Sequence, residues 1–257
     1  MVDVPSKRFI YKWRRISERR QLPDVIAYKK LQKHPNPVLA AKQLREYVKK
    51  WEYDALAHYS LGVLILNVEN DPAAAIKCFM TAKALKPKLG NIYVDLTLAY
   101  LQMNNEKHSK ESLDSSKCAI TLMPHAGESW NVRGAALGKN KRIYESIRAY
   151  KKSLFYDANQ PMVHRNLGLM FNSLAQKRDA AAHYKKSLLL DPWCRDAYIK
   201  YSNVLVALGE TEEAARVLQE MTKYFIFKQR KNPVNLPRNV EILRRIKEAD
   251  EIMGKKK

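Results

Sequence analysis

Histidine and cysteine side chains are the first candidates for chemistry, because they supply many of the general bases, nucleophiles and metal ligands of protein sites. The six histidines form no HExxH motif and no pair with the spacing of a metal site, and His164 and His183 fall at core positions of a repeat. The three cysteines lie far apart without a CxxC pair, which favours reduced thiols over a disulfide framework or a zinc site. Neither residue type predicts a metal site or a catalytic nucleophile.

A second candidate is the segment Gly138-Lys139-Asn140-Lys141, which is similar to a phosphate-binding loop. It lacks the earlier glycine, the Ser or Thr after the lysine, and a preceding strand. The sequence also contains no nucleophile elbow, kinase signature or dinucleotide-binding fingerprint. We therefore expect no catalytic residue, no cofactor and no metal, and we predict that the chain is not an enzyme.

The N-terminal segment, residues 1–20, combines basic and aromatic side chains. It holds seven Lys and Arg residues against Asp3 and Glu18, with Phe9 and Tyr11 among them. Cationic side chains bind phosphates and aromatic rings stack on bases, so this pattern favours contact with nucleic acid over a solvated charged face. The residues expected to contact RNA or another acidic partner are Arg8, Lys12, Trp13, Arg14, Arg15, Arg19 and Arg20.

The whole chain of 257 residues carries a formal charge of +21, from 47 Lys and Arg residues against 26 Asp and Glu residues. Such a surplus implies an acidic partner, and nucleic acid, an anionic membrane face or an acidic protein such as tubulin would each satisfy it. Outside the two ends, the surplus is concentrated in residues 127–194, where a solvated face is the alternative to a binding surface. The candidate contacts there are Lys139, Lys141, Arg142, Lys151, Lys152, Lys177, Arg178, Lys185 and Lys186.

The composition predicts that helices position these residues. The hydrophobic content of 46% is enough for a substantial core, while only 8 Gly and 11 Pro leave few residues for the tight turns of an all-β protein. No uninterrupted apolar stretch reaches the roughly 18 residues of a membrane-spanning helix. We therefore expect an all-α protein.

An internal repeat organises the expected helices. The string YKKSLFYD at 150–157 returns as YKKSLLLD at 184–191, which gives a period of about 34 residues. Within each period the apolar residues follow helical spacing twice, with a turn-like segment between, which predicts two antiparallel helices. Glycine inside a helix costs about 1 kcal/mol relative to alanine. Gly62, Gly134 and Gly168 in the first helices therefore predict close contact between helices.

The residue pattern of this period resembles the tetratricopeptide repeat family. The matching positions are Leu61, Gly62, Ala75, Phe79, Ala82 and Pro87 in one copy, and Leu167, Gly168, Phe171, Ala180, Tyr184 and Pro192 in another. The resemblance implies a right-handed α-solenoid of antiparallel helix pairs that binds other proteins. Pro87 and Pro192 close these two copies, since a proline cannot continue the second helix.

Extending the frame predicts a solenoid over residues 21–228, between an N-terminal arm at 1–20 and a C-terminal capping helix with a basic tail at 229–257. The third repeat is the weakest internal one, since Thr97 replaces the small glycine. It is also three residues longer, and we place the extra residues between Gln102 and Lys110. The six repeats are 21–54, 55–89, 90–126, 127–160, 161–194 and 195–228.

The resemblance implies that the first helices of the repeats line an inner groove for a protein partner, apolar in the second and third repeats and polar beyond them. The carboxylate clamp with which some family members grip chaperone C-termini is absent, since Tyr59 and Val63 stand where it needs Lys and Asn. The residues expected to line the groove are Tyr59, Val63, Leu66, Val94, Leu98, Leu101, Asn131, Arg165, Asn172 and Asn203.

Taken together, the sequence predicts a non-enzymatic scaffold for protein–protein interactions in a large assembly. The favoured assembly is a ribonucleoprotein such as an organellar ribosome, with the basic residues on RNA and the groove on a protein neighbour. The alternative is a protein–peptide adaptor without RNA contact, for example on an acidic cytoskeletal polymer. Residues 1–20 resemble a mitochondrial import segment, although their two acids are atypical of one, so we expect an intracellular protein of the mitochondrion or the cytoplasm.

Overall fold

The computed structural model describes residues 36–103, 105 and 107–231 of the chain, and side chains up to Tyr224. This described part contains eleven α-helices and no strand, and the chain divides into an N-terminal unit, 1–142, and a C-terminal unit, 143–257. The predicted arm at 1–20 and most of the predicted capping segment at 229–257 lie outside the described residues.

The N-terminal unit consists of helices that pack in sequential antiparallel pairs. They are α1 (Pro37–Lys50), α2 (Ala55–Leu64), α3 (Pro72–Leu85), α4 (Gly90–Gln102), α5 (Lys107–Leu122) and α6 (Gly127–Lys139). A π-helical turn, Ile65–Glu69, continues α2 before α3 begins. The pairs α2/α3 and α4/α5 correspond to the predicted second and third repeats, and α1 is the second helix of the first repeat.

The C-terminal unit continues the same pairing. Its helices are α7 (Ile143–Tyr156), α8 (Pro161–Ser173), α9 (Lys177–Leu190), α10 (Arg195–Ala207) and α11 (Thr211–Lys231). The pairs α8/α9 and α10/α11 correspond to the predicted fifth and sixth repeats. Helix α11 has 21 residues and runs past the predicted end of the sixth repeat at residue 228.

Several helices begin where the sequence supplies a side-chain cap. The Asn36 side chain accepts hydrogen bonds from the backbone N–H groups of the first turn of α1, and Asp54 and Asp71 do the same at α2 and α3. Such caps satisfy N–H groups that have no partner within the helix. Proline follows the cap at Pro37 and Pro72, where its missing N–H costs nothing.

A glycine–aromatic contact holds two of the helix pairs together. A Cβ atom built on Gly62 would lie 2.6 Å from the ring of Phe79, and one built on Gly168 would lie 2.7 Å from the ring of Tyr184. Both rings are fully buried, and each belongs to its unit's main core cluster. The predicted close helix contact is therefore confirmed at Gly62 and Gly168.

The π-helical turn explains why the second repeat is one residue longer than the repeat period. Helix α2 begins at Ala55 and α4 at Gly90, and Gly62 and Phe79 are one position further apart in sequence than Gly168 and Tyr184. A π-helical turn bonds each residue to one five positions away and so holds one more residue per turn than an α-helix. It takes up the extra residue without breaking the Gly62–Phe79 contact.

The third repeat takes up its three extra residues at the predicted place, between Gln102 and Lys110. Its second helix, α5, has 16 residues, against 14 in α3, α7 and α9. Four residues separate each of these four helices from the helix that follows it. The added residues therefore lengthen the linker after α4 and the first turn of α5, and leave the closing turn unchanged.

The glycine–aromatic contact is replaced in the third repeat. Thr97 stands at the glycine position and is fully buried, and its Oγ1 donates a hydrogen bond to the carbonyl of Tyr93 at 2.7 Å. Ser116, also fully buried, stands at the aromatic position. The Arg133 guanidinium reaches in from α6 and donates to the carbonyl of Leu113 at 2.9 Å and to Ser116 Oγ at 3.2 Å. A half-buried cation thus contributes to the volume that a ring fills elsewhere.

Candidate partner-binding surfaces

The exposed side of two consecutive second helices carries five of the nine described cations that were predicted to bind an acidic partner. On α7 the exposed positions include Arg148, Lys151 and Lys152, and one repeat period later the exposed positions of α9 include Lys185 and Lys186. Inward-facing residues of both helices are buried, so helical periodicity places these cations on the solvent side. We call the set the cationic face: Arg148, Lys151, Lys152, Arg178, Lys185 and Lys186.

The two halves of the cationic face lie near each other. Lys151 Nζ lies 5.9 Å from the ring centre of Phe171 on α8, and its charge also lowers the pKa of His183 on α9. A lysine of α7 is thus held within electrostatic range of α9 by the helix between them. Phosphates or carboxylates that approach this side of the C-terminal unit meet both lysine pairs.

The remaining predicted cations fall into three groups. Lys177 donates a hydrogen bond to Asn172 Oδ1 at 2.8 Å, so it is engaged at the start of α9. Lys139, Lys141 and Arg142 are exposed but belong to the N-terminal unit. The basic and aromatic residues of 1–20 lie outside the described residues. The structure therefore gathers five of the predicted cations, together with Arg148, into one surface.

A histidine pair lies next to the cationic face, and the sequence interpretation missed it. His164 Nδ1 on α8 lies 3.1 Å from His183 Nδ1 on α9, and one ring donates the hydrogen bond that the other accepts. The His183 ring also stacks on Phe171, with centroids 5.3 Å apart and an interplanar angle of 7°. The two histidines lie on different helices of one repeat, and only antiparallel pairing brings them together.

Both histidines are neutral at physiological pH. The pKa of His164 is lowered to about 4, first by burial and then by the charges of His183 and Lys186. Burial also lowers the pKa of His183, followed by the charge of Lys151, while Asp179 acts in the opposite direction. The pair therefore adds no positive charge to the cationic face. It packs as two aromatic rings beneath the lysines.

The predicted apolar groove of the N-terminal unit is only partly open. Leu66 and Val94 are 4% and 2% exposed and pack in the core, so their predicted place in the groove is wrong. First-helix residues that face the next helix become core residues even where the family pattern places them on the inner wall. Tyr59, Val63 and Leu98 are half-buried, as are Leu101 and Asn131, and they remain candidates.

A half-buried carboxylate interrupts this apolar wall. The Tyr59 hydroxyl donates a hydrogen bond to Asp95 Oδ2 at 2.6 Å. Burial raises the pKa of Asp95, the hydrogen bond from Tyr59 lowers it, and the charge of Glu128 raises it. Asp95 is the only charged residue in the 13 residues of α4, and that isolation in an apolar helix is the signal by which the sequence could have revealed it.

The inner-wall candidates of the C-terminal unit form a polar network. Arg165 Nε lies 3.8 Å from Asp196 Oδ2, and Lys200 Nζ lies 3.4 Å from Asp196 Oδ1. Asn172 accepts the hydrogen bond from Lys177 described above, and Asn203 is exposed. The predicted change from an apolar to a polar wall stays a prediction.

Within the described residues, no group of three or more His, Cys, Asp or Glu side chains is placed to hold a metal ion. Across the same part of the chain, no helix combines the length and apolar character needed to cross a membrane.

Antiparallel helix pairs that recur with a regular period, locked by glycine–aromatic contacts, define the class of protein: the described chain has the fold of the tetratricopeptide repeat proteins. This confirms the predicted all-α, solenoid-type fold class. No protein family model matches the chain.

The relatives and neighbours fit this class. The BBSome complex member BBS4 of Bos taurus is 29% identical over 113 residues, which are 44% of this chain and 21% of the relative. The chain spans about a fifth of the length of the curated relatives it matches. The tetratricopeptide repeat protein TTC0263 of Thermus thermophilus superposes with a TM-score of 0.58 at 19% identity, covering 71% of this chain and 97% of that protein.

A larger neighbour is found in the structure of the APC/C hetero-tetramer Cut9–Hcn1. It superposes with a TM-score of 0.72 at 14% identity, covering 95% of this chain and 46% of that chain. At these identities the solved structures show the fold.

Proposed function

We propose that this chain is a non-enzymatic scaffold of a multi-subunit ribonucleoprotein, such as an organellar ribosome, which would place it in the mitochondrion. The observation that carries the proposal is the cationic face, where Lys151 and Lys152 on α7 recur as Lys185 and Lys186 on α9 with all four exposed. Regularly spaced cations on one side of a solenoid suit a polyanion, because each phosphate contact releases condensed counterions.

A protein partner is proposed for the first helices of the repeats. Tyr59, Val63 and Leu98 of the N-terminal unit offer apolar contact, whereas Arg165 and Asn203 of the C-terminal unit offer charge and hydrogen bonds. A repeat protein that uses both sides can hold a protein neighbour and RNA at once. BBS4 is a member of the BBSome complex and the Cut9–Hcn1 neighbour is part of an APC/C hetero-tetramer, which supports membership of an assembly.

Salt-dependent RNA binding tests the proposal. We expect the purified full chain to lose about 10²- to 10³-fold in affinity for a fluorescently labelled RNA between roughly 50 and 200 mM salt, if about six phosphates are neutralised. Replacing Lys151, Lys152, Lys185 and Lys186 by glutamine should weaken binding and flatten this dependence.

The matched control changes the same amount of charge elsewhere. Lys42, Lys77, Lys86 and Lys88 are exposed lysines of the N-terminal unit, and their replacement by glutamine should leave most of the affinity in place. Equal losses in the two quadruple variants would mean that only net charge matters, which contradicts a defined surface. Failure of the parent chain to bind RNA, together with co-sedimentation on an acidic polymer, would replace this proposal by the adaptor without RNA contact.

A further inference from the structure

Helix α7 presents two aromatic side chains along its exposed side, with cationic side chains between them. The sequence of exposed positions runs from Tyr144 through Arg148, Lys151 and Lys152 to Phe155, and we call these five residues the α7 stripe. The residues between them on the helix, such as Ser146 and Tyr150, are buried. At a rise of about 1.5 Å per residue, the two aromatic ends of the stripe are roughly 16 Å apart with the cations between them.

The two rings are far more exposed than large apolar side chains normally are. Tyr144 is 72% exposed and Phe155 is 81% exposed. The Phe155 ring packs edge-to-face with Tyr156, with centroids 5.3 Å apart and an interplanar angle of 76°, which restrains it and still leaves it open to solvent. Each ring is therefore available to a flat partner.

The arrangement of the stripe distinguishes between classes of partner. A protein or a membrane buries contiguous apolar surface, and here Arg148, Lys151 and Lys152 separate the two rings. Duplex RNA keeps its bases stacked and offers phosphates and hydroxyl groups, which would leave the rings unused. A single strand offers both unstacked bases and phosphates along one path.

We infer that the α7 stripe binds single-stranded RNA, with unpaired bases stacked on Tyr144 and Phe155 and the intervening phosphates on Arg148, Lys151 and Lys152. The inference rests on the proposed function and specifies the form of RNA that this surface takes. On α9 the equivalent positions of the two rings are Arg178 and Leu189, so that helix extends the phosphate contacts and offers no ring. Base stacking is thereby confined to one helix.

The test compares a labelled single-stranded RNA of about 16 nucleotides with a duplex of the same length, each titrated with the full chain by fluorescence anisotropy. We expect the single strand to bind more tightly. The substitution Phe155→Leu keeps an apolar side chain and removes the ring, and it should weaken single-strand binding about 5- to 100-fold while leaving duplex binding nearly unchanged. Phe155→Trp keeps a stacking surface and should restore the affinity.

Val206→Ala supplies the control, because Val206 is 55% exposed on α10, away from the α7 stripe, and its truncation should leave both affinities unchanged. Thermal unfolding followed by circular dichroism should be the same for all these surface variants. If single strand and duplex bind equally and Phe155→Leu behaves like the parent, the stripe inference is overturned and RNA contact itself survives. If the parent binds neither RNA, both the inference and the proposed function fail.

Discussion

Gly168 lies against the ring of Tyr184 so closely that any side chain at this position would collide with it: a Cβ atom there would lie 2.7 Å from Tyr184 Cε1. The ring is fully buried and cannot rotate out into solvent without opening the α8/α9 pair. Close packing therefore requires glycine at this position. Its backbone conformation does not, since it is that of an ordinary helix.

We predict that Gly168→Leu destabilises the C-terminal unit by about 1–3 kcal/mol through overpacking. Gly168→Ala should cost less, and its cost should shrink when Tyr184 is also replaced by Leu, which removes the opposing ring and gives a favourable coupling in a double-mutant cycle. Chemical denaturation of the four proteins measures this coupling. Strict additivity of the two single changes would contradict the contact.

The turns between paired helices supply a second prediction. Lys141, Ala175 and Gly209 occupy equivalent positions in successive repeats, and all three have a positive φ, of 59°, 59° and 82°. A side chain in this left-handed region costs roughly 1 kcal/mol, which Gly209 avoids and Ala175 does not.

Ala175→Gly should therefore raise the free energy of unfolding by about 1 kcal/mol, and Gly209→Ala should lower it by a similar amount. No atom lies within 4 Å of a Cβ built on Gly209, so its substitution tests conformation alone. Opposite signs for the two changes in urea denaturation are the expected result. A loss of stability in both would show that the turn is not the source of strain.

The histidine pair predicts a pH-dependent stability. Folding lowers the pKa of His164 from 6.5 to about 4 and also lowers that of His183, so the unfolded chain binds protons before the folded chain does. The stability contributed by the neutral pair is full above pH 6.5 and is lost as the pH falls towards 4. Lys151 from α7 and Lys186 from α9 oppose protonation, and Asp179 from α9 favours it.

Between about pH 7 and 4.5 we expect the free energy of unfolding of the C-terminal unit to fall by an amount on the order of 2 kcal/mol. The double variant His164→Gln, His183→Gln removes both titrating rings and should flatten this part of the profile, whatever its stability at neutral pH. An identical slope in parent and variant would assign the acid sensitivity to other groups.

The Tyr59–Asp95 hydrogen bond gives a prediction for the N-terminal unit. Tyr59→Phe removes the donor and leaves a half-buried carboxylate without it, which should cost about 1–3 kcal/mol at neutral pH. Because burial and Glu128 already raise the pKa of Asp95, losing the donor raises it further. The deficit of the variant should therefore shrink as the pH falls and Asp95 takes up a proton. Asp95→Asn should show little of this pH dependence.

The sequence was informative wherever periodicity determines packing. The repeat offset located the helix pairs, the buried glycines and the lysines of the cationic face, because equivalent residues in a solenoid meet equivalent surroundings. The sequence did not predict contacts between helices at positions that the repeat period does not relate. His164 and His183 belong to one repeat, and their 3.1 Å approach depends on the rotation of α9 against α8, which no spacing rule contains.

Burial of the groove candidates was equally hard to predict. Leu66 lies within the π-helical turn, where the rotation per residue departs from that of an α-helix, so extrapolating the family pattern along α2 places it on the wrong side. The α7 stripe was only half recognised, because Lys151 and Lys152 stood out by charge while Tyr144, Arg148 and Phe155 were not among the predicted contacts. Helical spacing from Arg148 in both directions would have placed both rings on the exposed side.

The way the second and third repeats hold their extra residues bears on how this chain can be engineered. The extra residues are accommodated at the C-terminal end of α2 and around the start of α5. Four residues still separate α3 from α4, and four residues separate α5 from α6. We expect these two places to tolerate insertions, so that a fluorophore site or a short epitope introduced there is accommodated within one repeat.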